Sequence, residues 1–244
     1  MEEIKLIIDG KKITGEKGAT ILSICEKNGI YVPTLCHHER LPDVGSCRMC
    51  LVEIRDVKGL KPACATLAEN DMVITTDNEE INAIRKMNLE FLLGEHPNDC
   101  MTCGSYGKCE LQQLAYRFGI EKPLFEKRNF KHEIDHSSPV IIIDRNKCIL
   151  CGRCVRACNE IQVNNILDFS NRGSDTKVIA GFDSPLAESL CYSCGECVSV
   201  CPVGALTEKM PRFKALPWEL ETKRTVCAYC GVGCTIDVKT KDGT

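Results

Sequence analysis

"CILCGRCVRAC" at 148–158 and "CYSCGECVSVCP" at 191–202 are two copies of one pattern, C-x-x-C-x-x-C-x-x-x-C. Three thiolates at two-residue intervals, then a fourth, is the spacing that wraps an iron–sulfur cubane, with the fourth ligand crossing over from the other copy. The pattern assigns Cys148, Cys151, Cys154 and Cys201 to one [4Fe–4S] site, and Cys158, Cys191, Cys194 and Cys197 to a second. Gly152 and Gly195 fall where so tight a curl must aim backbone N–H groups at the core. Paired zinc sites are the competing reading. Zinc takes four ligands in two separated pairs, which leaves the third cysteine of each copy without a role. One irregularity is visible: Cys201 is followed by Pro202, whereas Cys158 is followed by Asn159. Proline is no ligand, so the ligand set stands.

Outward from this repeat, the whole composition points the same way. The chain has 244 residues, 19 of them cysteine, with a net charge of −3. An odd total, bunched in C-x-x-C groups, suits metal thiolates in a reducing compartment better than disulfides. No excess of positive charge points to a nucleic-acid partner. "MEEIKLIIDGKK" lacks the basic and apolar regions of a secretory signal, and the longest aliphatic run, "PVIII" at 139–143, is too short to cross a bilayer. The expectation is a cytoplasmic protein with no membrane span. The scattered Lys and Arg residues read as solvated faces.

Residues 3–8 alternate as a strand, "DG" at 9–10 is a tight turn, and "KKIT" is its return strand. Thr20 caps a short helix turning Ile21, Leu22, Ile24 and Cys25 inward, ended by Gly29. Strands follow over roughly 50–75, so 1–78 reads as a small α+β domain. Asn78 opens a helix with Ile81, Ile84, Met87 and Phe91 at three- and four-residue spacing, closed by Gly94, and a second helix bears Leu111, Leu114 and Phe118. These helices delimit a mostly helical piece over 79–118. Polar residues 119–138 read as a connector, 139–209 as the repeat-bearing domain, 210–225 as a second connector, and 226–244 as the start of a further domain.

The other cysteines fall into three groups. Cys36, Cys47, Cys50 and Cys64 are spaced C-x10-C-x2-C-x13-C, for which a zinc knuckle is the plain alternative. His96, Cys100, Cys103 and Cys109 form H-x3-C-x2-C-x5-C, the histidine standing where the helix from Asn78 ends. Cys227, Cys230 and Cys234 stand in "VCAYCGVGC" and lack a fourth partner. Cys25 is left over and reads as a small buried hydrophobe; His37 and His38 read as surface or supporting residues beside Cys36. No Ser-His-Asp set, phosphate-cradling loop or carboxylate pair stands out before residue 225.

The first of these groups, in its hairpin–helix–strand host, resembles the β-grasp [2Fe–2S] ferredoxin domain of complex-I-type large subunits and iron-only hydrogenases. That resemblance implies a [2Fe–2S] cluster on Cys36, Cys47, Cys50 and Cys64. The same families carry a [4Fe–4S] cluster with one histidine ligand at the position of His96, Cys100, Cys103 and Cys109. "VCAYCGVGC" resembles the entry of molybdopterin oxidoreductases, formate dehydrogenase catalytic subunits in particular. Taken in order, the five groups resemble the N-terminal part of a complex-I-related formate dehydrogenase α subunit.

The resemblance implies one [2Fe–2S], three [4Fe–4S] and a fourth [4Fe–4S] on Cys227, Cys230 and Cys234 that a later cysteine completes. It also implies a molybdenum or tungsten bis-pterin guanine dinucleotide site beyond the chain, with no catalytic residue inside it. The implied partners are flavin- and NAD(P)-binding iron–sulfur subunits, ferredoxin, or hydrogenase subunits. The alternative is a stand-alone multi-cluster electron-transfer subunit of a hydrogenase or complex-I-like oxidoreductase. "TIDVKT" at 235–240 reads as a strand with no partner, followed by the turn "KDGT", and the reading frame is expected to continue past Thr244.

Overall fold

The computed structural model describes residues 2–125 and 132–243. Asp9 and Gly10 both take positive φ, the two-residue turn that matches strand twist, and join β1 (Glu3–Ile8) to β2 (Lys11–Glu16). Alternation along β1 buries Ile4, Leu6 and Ile8 on one face. β1 pairs in parallel with β5 (Val73–Thr75); β5 pairs antiparallel with β3 (Leu51–Ile54), and β3 with β4 (Lys61–Pro62). The five-stranded sheet runs β2-β1-β5-β3-β4. Against it lies α1 (Ile21–Lys27), whose Thr20 hydroxyl accepts from the Ser23 N–H at 3.2 Å and whose Ile21, Leu22, Ile24 and Cys25 are buried.

α2 (Glu79–Gly94) starts at Asn78, whose side chain accepts from the Ile81 N–H at 2.8 Å. Its inner face departs from the expected stripe. Ile84, Met87 and Phe91 are exposed, and the buried ridge is Ile81, Arg85, Leu89 and Leu93 at four-residue spacing. Arg85 belongs there because its guanidinium donates to the carbonyls of Met49 at 3.0 Å and Leu51 at 2.8 Å. Exposed Phe91 instead stacks on Phe125 at 4.9 Å. α3 (Glu110–Arg117) buries Leu111 and Leu114. Leu35, Met49, Leu89, Leu93, Leu111, Leu114, Val203 and Ala205 share one core, so the segment between α1 and β3, the two helices and the repeat-bearing region are packed together.

In that region β6 (Ile141–Ile143) pairs antiparallel with β9 (Leu206–Glu208), and a hairpin of β7 (Leu167–Ser170) and β8 (Lys177–Ala180) lies between the copies. The copies repeat in backbone detail. Gly152 and Gly195 take φ +72° and +79° and start the short helices α4 (Arg153–Arg156) and α5 (Glu196–Ser199). Two positions earlier Leu150 and Ser193 also take positive φ, and each N–H lies 3.4 Å from the Sγ of its copy's first cysteine. α4 runs into one π-type turn over Ala157–Ile161, which carries Cys158.

The expected connector 119–138 falls partly on 126–131, outside the described residues; beyond them Asp135 bridges to Ile143 and accepts from the Leu186 N–H at 2.8 Å. The last segment corrects the expectation of an unpaired strand. Residues 221–225, expected to be connector, form β10 (Glu221–Val226) together with Val226, and it pairs along its length with β11 (Thr235–Thr240). Thr222, Thr225 and Val226 suit a strand, but in the sequence their mixture with charged residues looks like loop polarity.

Candidate metal centres

Cys36, Cys47, Cys50 and Cys64 come from the loop after α1, the turn before β3 and the helical turn after β4, and their thiols touch. Cys36 is hydrogen-bonded to Cys47 and Cys64, and Cys64 also to Cys50. These contacts hold the Cys36 thiol well below its ordinary range and push Cys47 and Cys64 up, so the set shares protons among buried sulfurs. His37 lies beside them, its Nδ1 2.6 Å from Asp43 Oδ1, and takes no part in the thiol group.

His96 follows α2 and is 5 % exposed. The Asn98 amide donates to the Leu93 carbonyl at 2.8 Å, which turns its Oδ1 toward His96 Nδ1 at 3.2 Å. The Asn98 backbone N–H lies 3.2 Å from the same Nδ1, so both polar groups of Asn98 hold that side of the ring, while Nε2 is buried with no hydrogen-bond partner among the described residues and is the nitrogen that would face a metal. Burial lowers the pKa of the imidazole, favouring the neutral form that binds metal. Cys103 and Cys109 are buried and Cys100 half-buried, each within electrostatic reach of the others; burial pushes Cys109 up to about 11. Gly204 of the repeat-bearing region backs directly onto Cys103.

Two apolar cavities occupy the repeat. One is walled by Cys148, Cys151, Cys154 and Cys201, the other by Cys158, Cys191, Cys194 and Cys197, so each takes three cysteines from one copy and one from the other. Burial pushes Cys148, Cys151 and Cys201 up to about 11 and Cys197 to about 12. As thiolates they would be buried anions, which only a cationic core can hold. The residues therefore fit iron–sulfur clusters: grouped soft donors, N–H groups on sulfur, and an orphaned imidazole nitrogen. Among the described residues no three His, Cys, Asp or Glu side chains close around one point as the ligands of a single ion do.

Cys227, Cys230 and Cys234 occupy the loop joining β10 and β11, closed by the Cys227 N–H donating to the Cys234 carbonyl at 2.7 Å. Cys230 and Cys234 are exposed. Cys25 is fully buried in the first core, which also holds Cys50 and Cys64, and burial pushes it up to about 12.

Four cations contradict the reading of Lys and Arg as solvated. Arg85, Lys147, Arg153 and Arg156 are all buried. Lys147 pairs with Asp99 at 3.0 Å, next to Cys103, and Arg153 grips the Glu110 carboxylate at 2.6 and 2.8 Å. The sequence holds a signal for this, since three of the four lie inside or beside the "KCILCGRCVRAC" motif.

Buried thiol groups of this number define a multi-site iron–sulfur protein. Residues 1–79 match the 2Fe-2S iron-sulfur cluster binding domain, and 85–123 the NADH-ubiquinone oxidoreductase-G iron-sulfur binding region. Residues 138–207 match the ferredoxin-like domain of NADH-quinone oxidoreductase subunit 3, and 220–244 the molybdopterin oxidoreductase Fe4S4 domain. The G 2 subunit of NADH-quinone oxidoreductase from Rhizobium meliloti is 44 % identical over 242 residues, 98 % of this chain and 28 % of that protein. The NADPH-Fe(3+) oxidoreductase subunit alpha of Geobacter sulfurreducens is 37 % identical over 98 % of this chain and 28 % of its own length. A chain in the crystal structure of an NAD+-reducing [NiFe]-hydrogenase superposes with a TM-score of 0.82 at 31 % identity, covering 87 % of this chain and 90 % of that one. In order and in sequence the chain is similar to the N-terminal iron–sulfur region of G-type subunits of NADH-quinone oxidoreductases, and in fold to the chain of the hydrogenase. It spans under a third of the length of these two curated relatives.

Proposed function

We propose that this chain is the cluster-bearing electron conduit of an NAD(P)- or hydrogen-linked oxidoreductase complex. The observation that carries the reading is the crossed sharing of cysteines between the two cavities of the repeat. Cys36, Cys47, Cys50 and Cys64 hold a [2Fe–2S] cluster on a β-grasp domain; His96 Nε2 with Cys100, Cys103 and Cys109 holds a [4Fe–4S]; and the two cavities hold one cubane each. When bound, the clusters supply one-electron redox centres. The chain's own residues bury the ligand thiolates, exclude water with the shared apolar core, and orient the His96 imidazole through Asn98. Cys227, Cys230 and Cys234 form part of a further site. The partners are flavin- and NAD(P)-binding iron–sulfur subunits or hydrogenase subunits, the kinds of complex that the relatives' names describe. The many thiols favour a reducing, cytoplasmic setting; no helix among the described residues is long and apolar enough to cross a membrane.

A formate dehydrogenase catalytic subunit with a molybdenum or tungsten pterin site is the second reading. The match of 220–244 to the molybdopterin oxidoreductase Fe4S4 domain supports it, while the two curated relatives favour the first. Anaerobic addition of NADH, NADPH, hydrogen or formate to the intact complex, followed by electron paramagnetic resonance, separates them. Cluster signals appearing with a nicotinamide or hydrogen support the first reading. Signals with formate alone favour the second, and no signal with any donor, dithionite included, overturns both.

A further inference from the structure

α4 carries two buried arginines that are partnered in opposite ways. Arg153 is neutralised by the Glu110 carboxylate through two short hydrogen bonds. Arg156, on the next turn, has no ion pair among the described residues. All of its hydrogen bonds go to backbone carbonyls: Nε to Gly152 at 3.3 Å, Nη1 to Pro42, and Nη2 to both Cys36 at 2.7 Å and Cys151 at 3.3 Å. Cys36 belongs to the first thiol group and Cys151 to the first cavity of the repeat, so one nitrogen bridges the main chain of two candidate metal sites.

A buried guanidinium without a carboxylate is costly, because its desolvation has to be offset by some negative group. Four carbonyl dipoles engage four of its five N–H donors but do not cancel its charge. Asp43, next to Pro42, is already paired with His37, and the further groups at this place that would carry negative charge once they ligate metal are the sulfurs of Cys36 and its partners on one side and of Cys151 and its partners on the other. Electrostatic contact between the Cys36 and Cys151 sulfurs agrees with that proximity.

We infer that Arg156 is a shared counter-charge and bridge, which docks the first domain on the repeat and raises the reduction potentials of the [2Fe–2S] and first [4Fe–4S] sites together. A fixed cation stabilises the more negative, reduced form of whatever lies beside it, and here it lies beside two. This rests on the cluster assignment proposed above.

The test is a pair of substitutions in the iron-loaded full-length protein, Arg156→Gln and Arg156→Lys, with Arg153→Lys as a control for disturbance of α4. Redox titration followed by electron paramagnetic resonance reads each site, and the first cubane is recognised by its magnetic interaction with the reduced [2Fe–2S] centre. Arg156→Gln is expected to lower both midpoint potentials while leaving those of the His96 site and the second cubane in place. Arg156→Lys keeps the charge and is expected to restore both, with a lower melting temperature because one ammonium cannot reach four carbonyls. If Arg156→Gln fails to assemble, the lysine variant decides: loss of either potential despite the retained charge overturns the inference. A shift confined to one site, or shared by all sites, also overturns it. Wild-type protein lacking the two signals overturns the cluster assignment itself, and the bridge with it.

Discussion

Gly204→Ala tests the packing of the His96 site at one atom. The Cβ of alanine would stand 2.4 Å from Cys103 Sγ, with Lys147 Cδ at 3.4 Å and Ser105 Cβ at 3.6 Å on its other sides. Heavy atoms in comfortable contact sit about 3.5–4.0 Å apart, so sulfur or backbone must retreat by about 1 Å or more. Gly204 is outside the left-handed region, so backbone conformation adds nothing and the effect is steric alone. Cys103 is 9 % exposed in a close-packed core, and Lys147 is tied to Asp99. Neither can swing away freely. Overpacking of this kind costs about 1–3 kcal/mol. Charged to the ligation of one site, that is a weakening of about 5- to 150-fold. Iron analysis with electron paramagnetic resonance on anaerobically purified variant should show selective loss or lability of the His96 cluster, the other three complete sites remaining. A variant that keeps all its iron, with unchanged melting temperature and spectra, would refute the packing argument.

Three further outcomes follow from the same structure. His96→Cys should retain a cluster whose potential is lowered, because an anionic donor replaces a neutral one, while His96→Ala should make that cluster labile; unchanged potentials in both would remove His96 from the site. Arg85→Met leaves the buried Met49 and Leu51 carbonyls without donors and should cost about 2 kcal/mol or more in denaturant unfolding, with a midpoint equal to wild type counting against it. Cys25 has a folded pKa of about 12 against 9.0 unfolded, so folding holds its proton. Stability owed to that group is complete below pH 9 and is lost as pH rises toward 12, and Cys25→Ala should flatten this part of the alkaline unfolding profile.

Local sequence carries most of the fold. The Asp9-Gly10 turn, the Thr20 and Asn78 caps and the curls at Gly152 and Gly195 are single-residue signals with a backbone cause, and each sits where its residue type demands. What spacing misses is set by tertiary partners. α2 turns Arg85 inward and Met87 outward because two carbonyls near Cys50 need a donor, a demand that no periodicity records. β10 escapes notice because its residues are polar, and a solvent-exposed ribbon has no apolar face to announce it. Arg153 and Arg156 resemble surface charges until Glu110 and the carbonyls of Cys36 and Cys151 are folded against them. The cysteine groups are visible because metal ligation is written in short spacings; the contacts that join one group to the next span more than a hundred residues.

The central claim is that these cysteines hold iron–sulfur clusters, and metal content tests it most directly. Protein purified without oxygen should contain at least about fourteen irons per chain, two from the [2Fe–2S] site and four from each of three cubanes, with matching acid-labile sulfide. Stoichiometric zinc, with little iron and no labile sulfide, would contradict it.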